Sequence, residues 1–154
     1  MKKFPETIIK NAYIARNTPI NKISINLEAI SHGLSMLCRY HGATPHFYSV
    51  AEHCVKGSYK FDDPKLAMMF LLHDAPEAHT GDIPYPLLKF FAIKEQYDLF
   101  QNNIFNEMCN RFGLEQPTGD EWGAIMGVDR AMVTTEKAVM FPDDEWLYEM
   151  PAPY

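Results

Sequence analysis

The sequence predicts an all-α protein, a single bundle of about six main helices spanning residues 1–154. Three observations carry this reading. Apolar residues recur at three- and four-residue spacing in one segment after another. Helix-opening and helix-closing residues punctuate those segments. The period-two alternation of strands is scarce, and no internal repeat is visible. At 154 residues one domain can bury a substantial core.

Residues 1–24 mix Pro5, Asn17, Pro19 and Asn21 with short apolar runs and are expected to form an irregular arm or a short hairpin. From about Ser24 the pattern turns helical, with Ile30, Leu34, Leu37 and Cys38 on one face until Gly42-Ala-Thr-Pro45 breaks it. Ser49-Val-Ala-Glu52 has the form of a capping box, which sets His53 at the start of the second turn of a second helix. Gly57 and Asp62-Asp63-Pro64 end that helix, and Asp63 as N-cap with Pro64 at the first position opens a third. The third helix carries a stripe of Leu66, Met69, Phe70 and then His73, where a leucine would be the default. Asp74 and Glu77 share a side if the helix continues, although Pro76 obscures its end.

Thr80 to Pro86 reads as a turn-rich loop, with Pro86 opening a helix through Leu87, Leu88, Phe90 and Phe91. A longer helix covers roughly Lys94 to Phe112 and stops at Gly113. After Pro117-Thr-Gly119 a last helix carries Ile125, Asp129, Met132, Val133 and Glu136, its apolar stripe interrupted at Asp129. The tail from Phe141 is too rich in proline and acid for regular structure.

Composition narrows the class. The formal charge is −6 with no block of Lys or Arg, which argues against a nucleic-acid-binding module while leaving room for a small anionic substrate held by local cations and a metal. No run approaches the roughly 18 apolar residues of a membrane span, and the basic start, Met1-Lys2-Lys3-Phe4-Pro5, leads into polar sequence and not a signal-peptide core. Cys38, Cys54 and Cys109 are odd in number and widely spaced, as expected of reduced thiols in a cytoplasmic protein (host cytoplasm if the source is viral).

The chemistry lies in the polar residues set on apolar helix faces: His53, the His73-Asp74 pair, and Asp129. A lone histidine on such a face is more often a satisfied core residue. Two imidazoles and two carboxylates converging from three helices would make a mixed nitrogen–oxygen site, suited to Zn, Mn, Fe, Co or Ni better than to Ca. Spacing alone does not establish that they converge. The sequence shows no glycine-rich phosphate loop and no serine or cysteine in a nucleophile setting.

The order His53 … His73-Asp74 … Asp129 resembles the HD-domain metal-dependent phosphohydrolases. Ser49-Val-Ala-Glu-His53 and the run from His73 to Lys89 are similar to segments of the bacterial 5′-deoxynucleotidase branch, and closer still to its small phage relatives. Leu37-Cys-Arg-Tyr-His-Gly42 matches the phage type as well, so the likeness runs from about Ile25 to Met140. Those relatives include dATP triphosphohydrolases, which release deoxyadenosine and triphosphate.

The resemblance implies an HD-domain bundle in which His53, His73, Asp74 and Asp129 bind a divalent metal such as Zn, Co, Mn or Mg. It implies catalysis by Glu77, at the attacking water or a second metal, together with Asp74 and Lys89. Asp82 would meet the deoxyribose 3′-hydroxyl, and Arg39 and Lys89 would face phosphates. Tyr40 is the candidate for stacking on a base, and His32, His41, His46 and His79 stay outside the ligand set. The long insertions of the larger dGTPase-type enzymes are missing, so a large allosteric architecture is not expected.

The expected partner is a deoxynucleotide, with no nucleic acid and no membrane, and with self-association as a homo-oligomer. The rival readings are a 5′-deoxynucleotidase acting on monophosphates and a non-catalytic nucleotide or metal sensor.

Overall fold

The computed structural model describes residues 25–142. The expected N-terminal arm, and the acidic tail beyond residue 142, lie outside that span. Among the described residues seven α-helices follow in chain order: α1 (Leu27–Met36), α2 (Val50–Ser58), α3 (Pro64–Leu72), α4 (Glu77–Thr80), α5 (Tyr85–Phe90), α6 (Lys94–Phe112) and α7 (Gly119–Met140). A 3-10 segment, Arg39–Gly42, lies between α1 and α2. Among the described residues there is no strand beyond one antiparallel bridge, Cys38 with Ser49. None of the helices is long and apolar enough to cross a membrane.

Local signals place most helix ends. The Asn26 side chain accepts from Ala29 N to open α1, and Asp63 accepts from Lys65 N and Leu66 N ahead of Pro64 to open α3. Helix α6 ends where Gly113 adopts φ 65°, a left-handed cap that favours glycine. Thr118 and Glu121 form a complete capping box at α7. The box expected at Ser49 forms only in part, since Ser49 Oγ accepts from Glu52 N while the Glu52 carboxylate pairs with Lys56 at 2.6 Å.

Two expectations change. Helix α1 stops at Met36, although Leu37 and Cys38 keep its apolar period. Their backbone is taken up across the chain, because Val50 N donates to Leu37 O and Arg39 N donates to Tyr48 O. Helix α3 stops at Leu72, and tight turns carry the chain on, with Ala75 N donating to Leu72 O and Glu77 N to Asp74 O. Proline at 76 offers no N–H to continue the helical ladder, so Asp74 and Glu77 belong to successive turns and not to one helix.

The core joins Ile30 and Leu34 of α1, Val50 and Cys54 of α2, Met69 and Phe70 of α3, Ile104 and Met108 of α6, and Ile125 and Met132 of α7. Helix α2 packs most extensively on α3, and α7 closes over both. The α2–α3 approach needs Gly57, since a Cβ there would fall inside the fully buried ring of Phe70. This close crossing brings His53 of α2 alongside the end of α3, with the two imidazoles of His53 and His73 centred 5.5 Å apart.

Candidate metal centre

Helix α2 carries His53 one turn inside its Ser49 cap, with no exposed surface. Its Nδ1 lies 2.6 Å from Glu136 Oε1. A carboxylate only accepts, so Nδ1 carries the hydrogen and Nε2 is turned inward. His73 repeats the arrangement at the end of α3, where Nδ1 lies 2.6 Å from the Phe70 carbonyl, again an acceptor. Both rings are thereby locked with Nε2 turned to the same place. Neither Nε2 has a well-aimed hydrogen bond, although both are buried.

Carboxylates face those two nitrogens. Asp129 Oδ1 is 3.2 Å from His53 Nε2 and 3.7 Å from His73 Nε2. Asp74 reaches His73 Nε2 at 3.2 Å through Oδ1 and His53 Nε2 at 3.9 Å through Oδ2. Donor atoms of His53, His73 and Asp129 fall within 4.8 Å of one another, and those of Cys54, His73 and Asp74 do the same. Two orphaned imidazole nitrogens flanked by carboxylates fit a borderline divalent cation such as Zn, Co or Mn.

Electrostatics agree with the geometry. Burial works against a charged His73, but the Asp74 and Asp129 carboxylates outweigh it and hold its pKa well above the ordinary imidazole value. Asp129 is held far below the carboxylate range, because the imidazoles of His53 and His73 at 3.2 Å and 3.7 Å overcome its burial. Glu77 and Asp82 shift the other way. Burial first, and then the Asp74 charge, raises both, and Glu77 Oε2 is buried without a partner.

Arg39 leans in from the 3-10 segment, 3.5 Å from Asp74 Oδ2 and 3.4 Å from Glu136 Oε2. Burial opposes its charge, yet those two carboxylates hold it above the usual guanidinium value. Tyr40 spends its hydroxyl on Glu136 Oε2 at 2.8 Å, and its ring packs edge-on against Phe141. Asp82 follows Gly81 on the loop after α4 and is half-buried. Lys89 is not drawn into the cluster. It is exposed near the end of α5, with Nζ 5.4 Å from the Tyr85 ring centroid.

Glu136 was read from sequence only as a position on the last helical stripe. It is buried and accepts from Tyr40, Tyr48 and His53 while pairing with Arg39. Against its burial, these partners hold its pKa down to about 2. The available signal was its spacing, because seven residues separate Asp129 from Glu136 and place both on one face of α7.

Cation uptake by this cluster is expected to release protons. His73 binds a cation only when neutral, and its pKa without one lies well above 6.5. Affinity therefore falls as pH drops below that raised value, and binding displaces a proton from His73. Calorimetric titration with Zn²⁺ or Co²⁺ in buffers of different ionisation enthalpy measures this. An apparent enthalpy independent of buffer would contradict it.

A protein-family model described as HD domain matches residues 44–128. The match includes His53, His73, Asp74, Glu77, Asp82 and Lys89 and stops just before Asp129, leaving Arg39, Tyr40 and Glu136 outside. The chain is 33% identical over 125 residues to the uncharacterized protein YfdR of Escherichia coli (strain K12), covering 81% of this chain and 66% of that one. It is 34% identical over 100 residues to an uncharacterized protein of Rhodobacter capsulatus, covering 60% of this chain and 50% of the relative. The alignments thus span half to two thirds of the length of these curated relatives.

Proposed function

Because this chain belongs to the HD domain family, whose members are in general metal-dependent phosphohydrolases, we propose that it hydrolyses a deoxynucleotide, with dATP as substrate and deoxyadenosine and triphosphate as products. One observation carries the reading: the buried Nε2 atoms of His53 and His73 are turned inward on Asp74 and Asp129 by hydrogen bonds at the opposite ring nitrogen.

In this reading His53, His73, Asp74 and Asp129 hold a divalent cation. When bound, the cation supplies Lewis-acid polarisation of a phosphoryl oxygen and acidifies a water. Glu77 takes the proton of the attacking water once a cation offsets the Asp74 charge, since burial and that charge otherwise raise its pKa to about 10 and hold the carboxyl protonated at neutral pH. The water oxygen bonds to the α-phosphorus, the bond from phosphorus to the 5′-oxygen breaks, and a proton returns to that oxygen to give deoxyadenosine. Arg39 offers its guanidinium to phosphate oxygens, and Asp82 accepts from the 3′-hydroxyl. Lys89 is a phosphate contact in this reading only if α5 turns toward the cluster.

The test is a panel of dNTPs, dNMPs and NTPs with Zn²⁺, Co²⁺, Mn²⁺ and Mg²⁺, with products identified. Tripolyphosphate and deoxyadenosine from dATP support the proposal. Orthophosphate from dAMP, without tripolyphosphate from dATP, replaces it with a 5′-deoxynucleotidase. Binding without turnover of any member replaces it with a nucleotide or metal sensor.

A further inference from the structure

A cavity of about 340 Å³ opens beside the His73-Asp74 pair, between α6 and α7. Its volume is within the range that small ligands occupy, and beyond His73 and Asp74 none of its lining residues belongs to the metal cluster. Phe105 and Trp122 form an aromatic corner in its wall, their rings 5.4 Å apart at 57°. A neighbouring recess of about 290 Å³ shares these two rings and Asn102, so the corner is open on two sides. Apart from His73 and Asp74, the polar lining is nearly neutral. Lys94 and Asp98 pair with each other, and Gln101 and Asn102 contribute amides.

We propose that this cavity seats the nucleobase of the substrate, with Trp122 as the stacking face in place of Tyr40, whose hydroxyl is held by Glu136 and whose ring packs on Phe141, and with Asn102 as the group that reads an adenine edge. The proposal rests on the deoxynucleotide reading above and assigns it a base site. An uncharged, flat group with a hydrogen-bonding edge suits aromatic and amide walls, whereas phosphate does not. An asparagine amide pairs in two-pronged fashion with the N6 and N7 atoms of adenine. Asn102 is exposed, and no hydrogen bond engages its side chain among the described contacts.

The cavity wall is tied to the turn that precedes Asp82 through Gln101. Tyr97 Oη donates to Gly81 O at 2.8 Å and Gln101 Nε2 donates to Thr80 Oγ1 at 3.0 Å. These two bonds from α6 hold the turn carrying Asp82 against the rim. In this proposal a nucleotide with its α-phosphate at the cluster and its 3′-hydroxyl at Asp82 places its base against α6, in the cavity that His73 and Asp74 also line.

The experiment uses the full chain with Trp146→Phe, which leaves Trp122 as the sole tryptophan of the two. Deoxyadenosine added to the metal-free protein should quench Trp122 emission, and tripolyphosphate should not. Asn102→Ala should raise KM for dATP about tenfold with kcat retained, and should lower the preference for dATP over dCTP by the same factor. Trp122→Ala should raise KM by about tenfold or more, while Trp122→Phe, which keeps a stacking face, restores it. Inhibition by tripolyphosphate should be unchanged in each variant.

If dATP is hydrolysed but deoxyadenosine leaves the emission unchanged and Asn102→Ala leaves the base preference intact, the cavity is not the base site. If deoxyadenosine quenches the emission but no deoxynucleotide is hydrolysed, the base site stands and the proposed reaction falls.

Discussion

Replacing Asp74 with alanine is expected to abolish both cation binding and hydrolysis. Asp74 faces both inward imidazole nitrogens, at 3.2 Å and 3.9 Å. Even an outer partner of a metal ligand is worth about 10- to 100-fold in affinity or activity, so loss of a direct carboxylate should exceed about 100-fold. The substitution also removes the anion that most strongly sustains a protonated His73, which lessens proton competition at that ring. That gain does not replace a ligand. Metal content after dialysis against Zn²⁺ or Co²⁺, together with turnover of dATP, decides the matter, and undiminished turnover in the variant would sink the assignment of the site.

Glu136→Ala should be the most damaging single change to the fold. It leaves two tyrosine hydroxyls, His53 Nδ1 and Arg39 without their common acceptor. Breaking a buried charged pair by removing one partner costs about 3–5 kcal/mol. Glu136→Gln keeps an acceptor oxygen but not the charge, and should recover about half of that loss. The alanine variant should also bind Zn²⁺ about 10- to 100-fold more weakly, because the His53 ring loses the contact that sets its hydrogen on Nδ1. Urea unfolding and competition with a chromophoric chelator measure the two effects separately. A Glu136→Ala protein within about 1 kcal/mol of the parent, with unchanged Zn²⁺ affinity, would show that the carboxylate is dispensable.

Acid provides a second view of the same residue. Its folded pKa, about 2, lies below the ordinary 4.5. Its contribution is therefore present above pH 4.5 and is lost as pH falls from 4.5 towards 2. In Glu136→Gln the stability profile should be flatter across that window.

Much of the bundle could be read along the chain because its helix ends are written locally. Asp63-Pro64, Gly113 and the stripe of α6 each act within a few residues, and α6 spans Lys94–Phe112 as expected. The end of α1 could not be read, because Leu37 and Cys38 keep the apolar period while their backbone pairs with residues near 49. The four polar residues on apolar faces were visible one at a time, and the structure brings all four together. Glu136 was hidden for a related reason. A glutamate on a helix stripe has no local mark of burial until Arg39, Tyr40, Tyr48 and His53 arrive from two other segments. The cavity at Trp122 is more distant again from sequence, since it depends on how α6 and α7 diverge.

The close of α7 over α2 and α3 has a thermodynamic consequence. This one helix supplies both Asp129, which faces the cluster, and Glu136, which fixes His53 from behind. The cluster is therefore complete only while α7 is docked, and any cation held there clamps α7 to the bundle. By linkage, a cation at a hundred times its dissociation constant adds about 2.7 kcal/mol to the folded state. Chelation should accordingly lower the melting temperature of the whole domain, so that a thermal scan reports occupancy of the centre without any substrate.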